Sequence, residues 1–133
     1  MLFKQFPVSL FKFIKRITQT IELIVKTGWV HSDIKSENIL ISYGSQDIDI
    51  KLIDFGSSFK FVEVFEKFSM ATPEYMSPEM LTFILRENQM SFDSQLIESL
   101  INYDKSWVID IWGVGCVILE IISGIPLWMS YDT

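Results

Sequence analysis

Two short segments bring together the residue types that phosphoryl transfer requires. His31-Ser32-Asp33-Ile34-Lys35-Ser36-Glu37-Asn38 places an Asp, a Lys two positions on and an Asn five positions on within one polar run. In a tight loop the three converge. A carboxylate can then orient a hydroxyl and accept its proton, a cation can stand beside the moving phosphoryl group, and an amide oxygen can hold Mg²⁺. Ile53-Asp54-Phe55-Gly56 follows; Asp54 offers a second hard oxygen ligand, and Gly56 leaves the backbone free to turn. Taken singly, each segment has a plainer reading. Asp54-Phe55-Gly56 alone reads as a turn, and a cluster of Asp, Lys and Asn as solvated loop.

The elements that must position these residues show in the hydrophobic spacing. Ser9 reads as an N-cap, and Leu10, Phe13, Ile14, Ile17, Ile21, Ile24 and Val25 predict an amphipathic helix over 10–26, with Gly28 as its stop. Ile39-Leu40-Ile41, a turn at 43–47, and Ile48, Ile50 and Leu52 alternating with Asp49 and Lys51 predict a short hairpin between the two polar clusters. Residues 57–70 fit neither a clean strand nor a clean helix. A loop packed by its own aromatics is an equal reading there. Pro73 and Pro78 fix the backbone at both ends of the segment that follows. Residues 80–103 are helix-like at Met80, Leu81, Ile84 and Leu85, and again at Leu96, Ile97, Leu100 and Ile101. Val108 to Ile122 is apolar nearly all round and predicts a helix buried on every side, with Asp110 as N-cap and Gly124 as stop.

Composition sets the outer bounds. The 133 residues are 49% hydrophobic and 14% aromatic, which excludes a disordered segment and fits one domain or a piece of one. Net charge is −6, with five Lys and one Arg in the first 35 residues and an acidic remainder, an arrangement that argues against nucleic acid as the main ligand. The basic start reads as the solvated face of a helix. Cys116 is the single cysteine and His31 the single histidine, so neither an internal disulfide nor a cysteine-rich or His-paired metal site is available. The opening sixteen residues lack a signal-peptide pattern. Trp107 to Met129 is apolar enough to suggest a membrane span, but Asp110 and Glu120 lie inside it and favour a buried helix.

HSDIKSENIL, KLIDFGSS, ATPEYMSPEML and YDKSWVIDIWGVGCVILEIISGIPLW, in that order, resemble the eukaryotic protein kinase superfamily of Ser/Thr type. The resemblance covers nearly the whole chain. It implies an α+β, mainly helical fold: a kinase-like C-terminal lobe, incomplete at both ends, forming one partial domain over 1–133. Within it the resemblance implies a catalytic loop at 31–38, a metal-binding Asp-Phe-Gly at 54–56, an activation segment over 54–79 and a central helix over about 109–122. By the same resemblance Asp33 receives the substrate hydroxyl proton and Lys35 steadies the transferred group of ATP. Asn38 and Asp54 hold Mg²⁺. His31 scaffolds the loop, Gly56 permits the turn and Thr72 closes the segment onto the loop. Asp110 braces the loop from below, and Glu79 is a structural residue that in the family pairs with an arginine of a later helix.

Departures from the family pattern matter as much. Ser32 stands where many members have an arginine that pairs with a phosphorylated activation loop. Constitutive ordering or another mode of control is therefore expected. The stretch between Glu79 and Asp110 is long, with the excess near 84–102. Glu79 is expected to lack its usual arginine partner. No Gly-x-Gly-x-x-Gly loop, strand lysine or partner glutamate occurs, and Gly113-Val114-Gly115 reads as close packing within a helix. The expectation is ATP-dependent transfer to Ser/Thr hydroxyls of protein substrates, with negligible rate from this chain alone. A non-catalytic kinase-like interaction module is the alternative. Expected partners are a protein substrate and a regulatory protein, with no nucleic acid or membrane, in a soluble cytoplasmic or nuclear setting. Taken alone, the chain is expected to expose apolar surface and to be poorly soluble or molten.

Overall fold

Leu10, Phe13, Ile17 and Ile21 recur at helical spacing, and they lie on the buried side of a long helix, α1 (Leu2–Lys26). The computed structural model describes residues 2–64, 72–87 and 105–126. The expected cap at Ser9 is not where α1 begins: the helix starts seven residues earlier and passes through Pro7, with Ser9 exposed inside it. Apolar spacing continues backwards through Phe6 and Phe3, and a proline this close to a helix start removes a single internal hydrogen bond. The stop is as expected. Gly28 takes φ 76 and its N–H donates to Val25 O at 2.9 Å.

Beyond that stop the chain forms β1 (Trp29–Val30), the loop 31–38 that closes in a 3₁₀ turn at Ser36–Asn38, and the hairpin β2 (Ile39–Tyr43) and β3 (Ile48–Leu52). The hairpin is antiparallel, with Ile39 opposite Leu52 and Ile41 opposite Ile50. Its alternation buries Ile48 and Ile50 against α1 and leaves Asp49 and Lys51 in solvent. Arg16 of α1 fastens the hairpin tip, its Nε donating to Ile48 O at 3.1 Å and its Nη2 to Asp47 at 3.0 Å.

The ambiguous stretch after Gly56 resolves into a strand and a turn. β4 (Phe59–Lys60) pairs antiparallel with β1, Trp29 opposite Lys60 and Val30 opposite Phe59, and a 3₁₀ turn covers Phe61–Glu63. The rest of the expected aromatic loop, 65–70, lies outside the described residues. After a 3₁₀ turn at Pro73–Tyr75 come α2 (Pro78–Glu87) and α3 (Val108–Ser123); the expected insertion beyond residue 87 also lies outside the described residues. The architecture is α+β and mainly helical, as the sequence implied.

Two expectations about α3 need correction. Trp107, not Asp110, occupies the cap position; Asp110 sits in the first helical turn with 1% exposure, and its carboxylate is spent on the 31–38 loop. Nor is α3 buried on every side. Val114, Cys116 and Val117 face the core, whereas Val108, Ile111, Trp112, Leu119 and Ile122 are exposed; among the described residues α1, the 31–38 loop and the Pro73–Tyr75 turn pack on the core side.

Two buried clusters result. One joins Phe13, Ile17 and Ile21 of α1 to Ile34, Ile48, Ile50, Tyr75, Val114 and Val117; the other joins Val30, Phe59, Val64, Met76, Met80 and Ile109. Each large aliphatic side chain contributes about 1.5–3 kcal/mol by leaving water. Val30 is anchored in one cluster and Ile34 in the other, so the three residues between them are held from both sides.

Gly113 shows how closely α3 approaches this loop. A Cβ there would meet Ile34 Cβ and the Ile34 carbonyl oxygen at 2.8 Å, whereas a Cβ at Gly115 would meet nothing within 4 Å. Gly113→Ala is therefore expected to destabilise the fold by about 1–3 kcal/mol through overpacking. Gly115→Ala should be neutral or gain up to about 1 kcal/mol from helix propensity. Urea midpoints of the two variants check this; equal shifts would mean that Gly113 is not a packing contact.

Candidate active site

The 31–38 loop is built around its own polar groups. Asp110 accepts the N–H of His31 on Oδ2 and that of Ser32 on Oδ1, both at 2.8 Å. Burial pushes the Asp110 carboxyl above the usual range, and the two N–H donors oppose that shift. His31 is fully buried; its Nδ1 accepts the Asp33 N–H at 3.3 Å, so Nε2 carries the proton and donates to Ile53 O at 3.0 Å. Its ring meets Phe55 edge to face, with centroids 4.6 Å apart. One imidazole thus ties the loop to the residues flanking Asp54.

Asp33 lies at the centre of the next set of contacts. Its Oδ1 accepts the Thr72 hydroxyl at 2.6 Å, and its Oδ2 accepts Asn38 Nδ2 at 3.1 Å and faces Lys35 Nζ at 3.3 Å. Lys35 Nζ donates to Thr72 Oγ1 at 2.8 Å. The Thr72 hydroxyl therefore donates to the carboxylate while accepting from the ammonium. Burial by itself raises the Asp33 carboxyl, but the hydrogen bonds from Thr72 and Lys35, with the Lys35 charge, outweigh it and hold the group below the usual carboxylate range.

Asn38 spends its amide nitrogen on Asp33, O and Oδ2 both, and is 5% exposed. Among the described residues nothing donates to its Oδ1. A buried amide oxygen without a donor suits a cation. Ile53 N–H donates to Asn38 O at 3.0 Å, which sets Asn38 beside Asp54 in the chain fold. Asp54 is exposed, takes φ 60 and accepts the Gly56 N–H on Oδ1 at 3.2 Å. Two oxygen donors fit Mg²⁺, which keeps waters and takes phosphate oxygens for the rest of its shell. No group of three His, Cys, Asp or Glu side chains that could cage a metal occurs among the described residues.

The structure thus brings together His31, Asp33, Lys35, Asn38, Asp54, Thr72 and Asp110. Gly56 lies in the turn beside Asp54, and a Cβ there would meet Asp54 Oδ1 at 3.1 Å. Glu79 stands apart: it is exposed on α2 and makes no ion pair among the described residues. Two features escaped the sequence reading. Ser32, noted only for the arginine it replaces, takes φ 66 and donates its hydroxyl to Ser57 O at 2.6 Å. Glu120, 8% exposed within an apolar helix, accepts the Tyr75 hydroxyl, and burial first and this bond second push Tyr75 above its usual range. A carboxylate at the inner face of an apolar helix was the available signal, since such a group needs a donor.

Residues 6–133 match the protein kinase domain family, and the chain belongs to it. It is 31% identical over 122 residues to mitogen-activated protein kinase kinase kinase 17 of Arabidopsis thaliana, covering 92% of this chain and 27% of that protein. Citron Rho-interacting kinase of Mus musculus is 32% identical over 114 residues, covering 84% and 5%. A dual specificity protein kinase YAK1 homolog of Arabidopsis thaliana is 29% identical over 127 residues, covering 95% and 11%. The chain spans about a quarter or less of the length of these relatives. No described helix is long and apolar enough to cross a membrane.

The Asp33 environment has a pH consequence. A folded-state pKa below the unfolded value contributes stability that is present above the unfolded value of 3.8 and is lost as pH falls through the folded one. Lys35→Met removes a charge and a hydrogen bond but leaves the burial. It should raise the Asp33 pKa towards the unfolded value and so reduce the stability that is lost on acidification. Carboxyl ¹³C titration of Asp33 reads the change; an unaltered midpoint would exclude Lys35 as its cause.

Proposed function

We propose that this chain supplies the hydroxyl-accepting and metal-holding side of an ATP-dependent phosphoryl transfer to Ser/Thr side chains of protein substrates. The observation that carries the reading is the Thr72 hydroxyl, bonded at once to Asp33 at 2.6 Å and Lys35 at 2.8 Å. An ionised carboxylate and an ammonium that bracket one hydroxyl can bracket another of the same chemistry.

In this reading Asp33 orients the substrate hydroxyl and accepts its proton as the oxygen attacks the terminal phosphorus. Its low pKa keeps it ionised at neutral pH, so its main contributions are orientation and charge; as a base for bulk proton removal it is weak. Lys35 stabilises negative charge on the transferred group. Asn38 Oδ1 and Asp54 would hold Mg²⁺, which when bound offsets the charge of the phosphate oxygens. His31 and Asp110 fix the loop and touch neither reactant. Groups that clamp nucleotide phosphates from the opposite side have no counterpart among the sequence motifs, so a low rate is expected from these 133 residues by themselves.

A second reading, a kinase-like module that binds other proteins, is favoured by one observation. The exposed face of α3 and Glu79 line an apolar groove of about 530 Å³, with Val108, Ile111, Trp112 and Leu119 in its wall.

Mg²⁺-dependent ATP binding by the purified chain, with Asp54→Asn as control, separates the two. Binding is expected in the parent, with at least about tenfold loss in the variant from removal of a charged metal ligand. Residual transfer to a Ser/Thr peptide should vanish in Asp33→Asn. A folded chain that binds no ATP at millimolar concentration would overturn the catalytic reading in favour of the module.

A further inference from the structure

We propose that Ser32 is a positioning residue that pins the turn carrying Asp54, acting through the carbonyl of Ser57. The part that concerns metal binding rests on the phosphoryl-transfer reading above.

Residues 54–58 form a tight turn shaped by local hydrogen bonding and by the Phe55 ring set against His31. Gly56 N–H donates to Asp54 Oδ1 at 3.2 Å, and Ser58 donates from its N–H to Phe55 O at 3.1 Å and from its hydroxyl to the same oxygen. Asp54, Phe55 and Gly56 are all exposed. A turn so open keeps one geometry only when its ends are fixed. The first end is fixed twice, by Ile53 N–H on Asn38 O and by His31 Nε2 on Ile53 O, each at 3.0 Å. The far end is fixed by Ser32, whose hydroxyl donates to Ser57 O at 2.6 Å, two residues before β4 begins at Phe59.

Ser32 is suited to this by its backbone. It is 6% exposed, and its N–H is committed to Asp110. Its φ of 66 lies in the left-handed region, which side chains other than glycine occupy only where surrounding contacts over-determine them. Asp54 takes φ 60. The hydroxyl of one left-handed residue thus bonds the backbone three positions beyond the other. The link uses only neutral groups, so the turn is held with no phosphate on the chain. Adjacent residues His31 and Ser32 grip opposite ends of the Asp54 turn, while Asp110 grips both of their amides.

The test compares Ser32→Ala, which keeps the Asp110 bond and the left-handed backbone, with Ser32→Gly, which also relieves the backbone. Two readouts are residue-resolved amide exchange and the affinity for Mn²⁺ in the presence of ATP, measured by electron paramagnetic resonance. Both variants should speed exchange at Gly56 and Ser58 about three- to tenfold, the range for loss of one buried hydrogen bond. Exchange at His31 and at residue 32 should stay slow, and Mn²⁺ affinity should fall by a similar factor. Unchanged exchange at 56 and 58 in both variants would overturn the proposal. Equal acceleration at 31 and 32 would also overturn it, because Ser32 would then be a general structural residue. Faster exchange with unaltered Mn²⁺ affinity would reject the positioning of Asp54. A parent whose Mn²⁺ binding is indifferent to Asp54→Asn would refute the functional reading instead, leaving exchange to decide the Ser32–Ser57 link.

Discussion

A carboxylate with almost no access to water, on the first turn of α3, takes the N–H of His31 on one oxygen and the N–H of Ser32 on the other. Burying such a group is unfavourable unless its acceptors are filled. Filling them commits two consecutive amides to a single side chain. No strand or helix can run through residues whose N–H groups are used that way, so the chain must bend there, and Ser32 takes its left-handed conformation. From the bend the rest follows. His31 is left with both ring nitrogens available for the loop and the Asp54 turn, and Asp33 is delivered to Lys35, Asn38 and Thr72.

The apolar framework serves this polar centre by trapping it between two clusters. Val30 belongs to the cluster of Phe59, Met80 and Ile109, and Ile34 to that of α1, β3 and the middle of α3. The polar residues between them lie at a seam, where one cluster cannot shift without dragging the loop against the other. Gly113 lets the α3 backbone come close enough to make that seam tight. Surface charges contribute little by comparison. The Arg16–Asp47 pair is about half exposed on both sides, so solvent screens most of its attraction.

Elements governed by local periodicity were legible in the sequence. The hairpin, the stop at Gly28 and the existence of α3 follow from alternation, from a glycine after the last turn and from a long apolar run. Features decided by distant partners were not. Asp110 reads as a cap because an acid near a helix start ordinarily serves that helix, whereas here it serves a loop 79 positions away. Helix α3 reads as buried all round because composition reports how apolar a helix is and not which faces are covered. The pairing of Phe59-Lys60 with Trp29-Val30 is only two residues long and leaves no period to detect. In the site, the residue types and their order pointed to Asp33, Lys35, Asn38 and Asp54, while the φ of Ser32 and its hydroxyl bond to Ser57 required coordinates.

The distance along the chain between His31 and Asp110 bears on how the protein is made. At about 5–20 residues per second on the ribosome, the 79 positions that separate them take roughly 4 to 16 seconds to synthesise. For that interval the nascent 31–38 loop has α1 and the hairpin beside it, but not the carboxylate that dictates its bend. Local helix and hairpin formation finish within microseconds, so these elements wait with their polar loop unset and their apolar faces open. The bend of the 31–38 loop can be set only once the Asp110 carboxylate has been made.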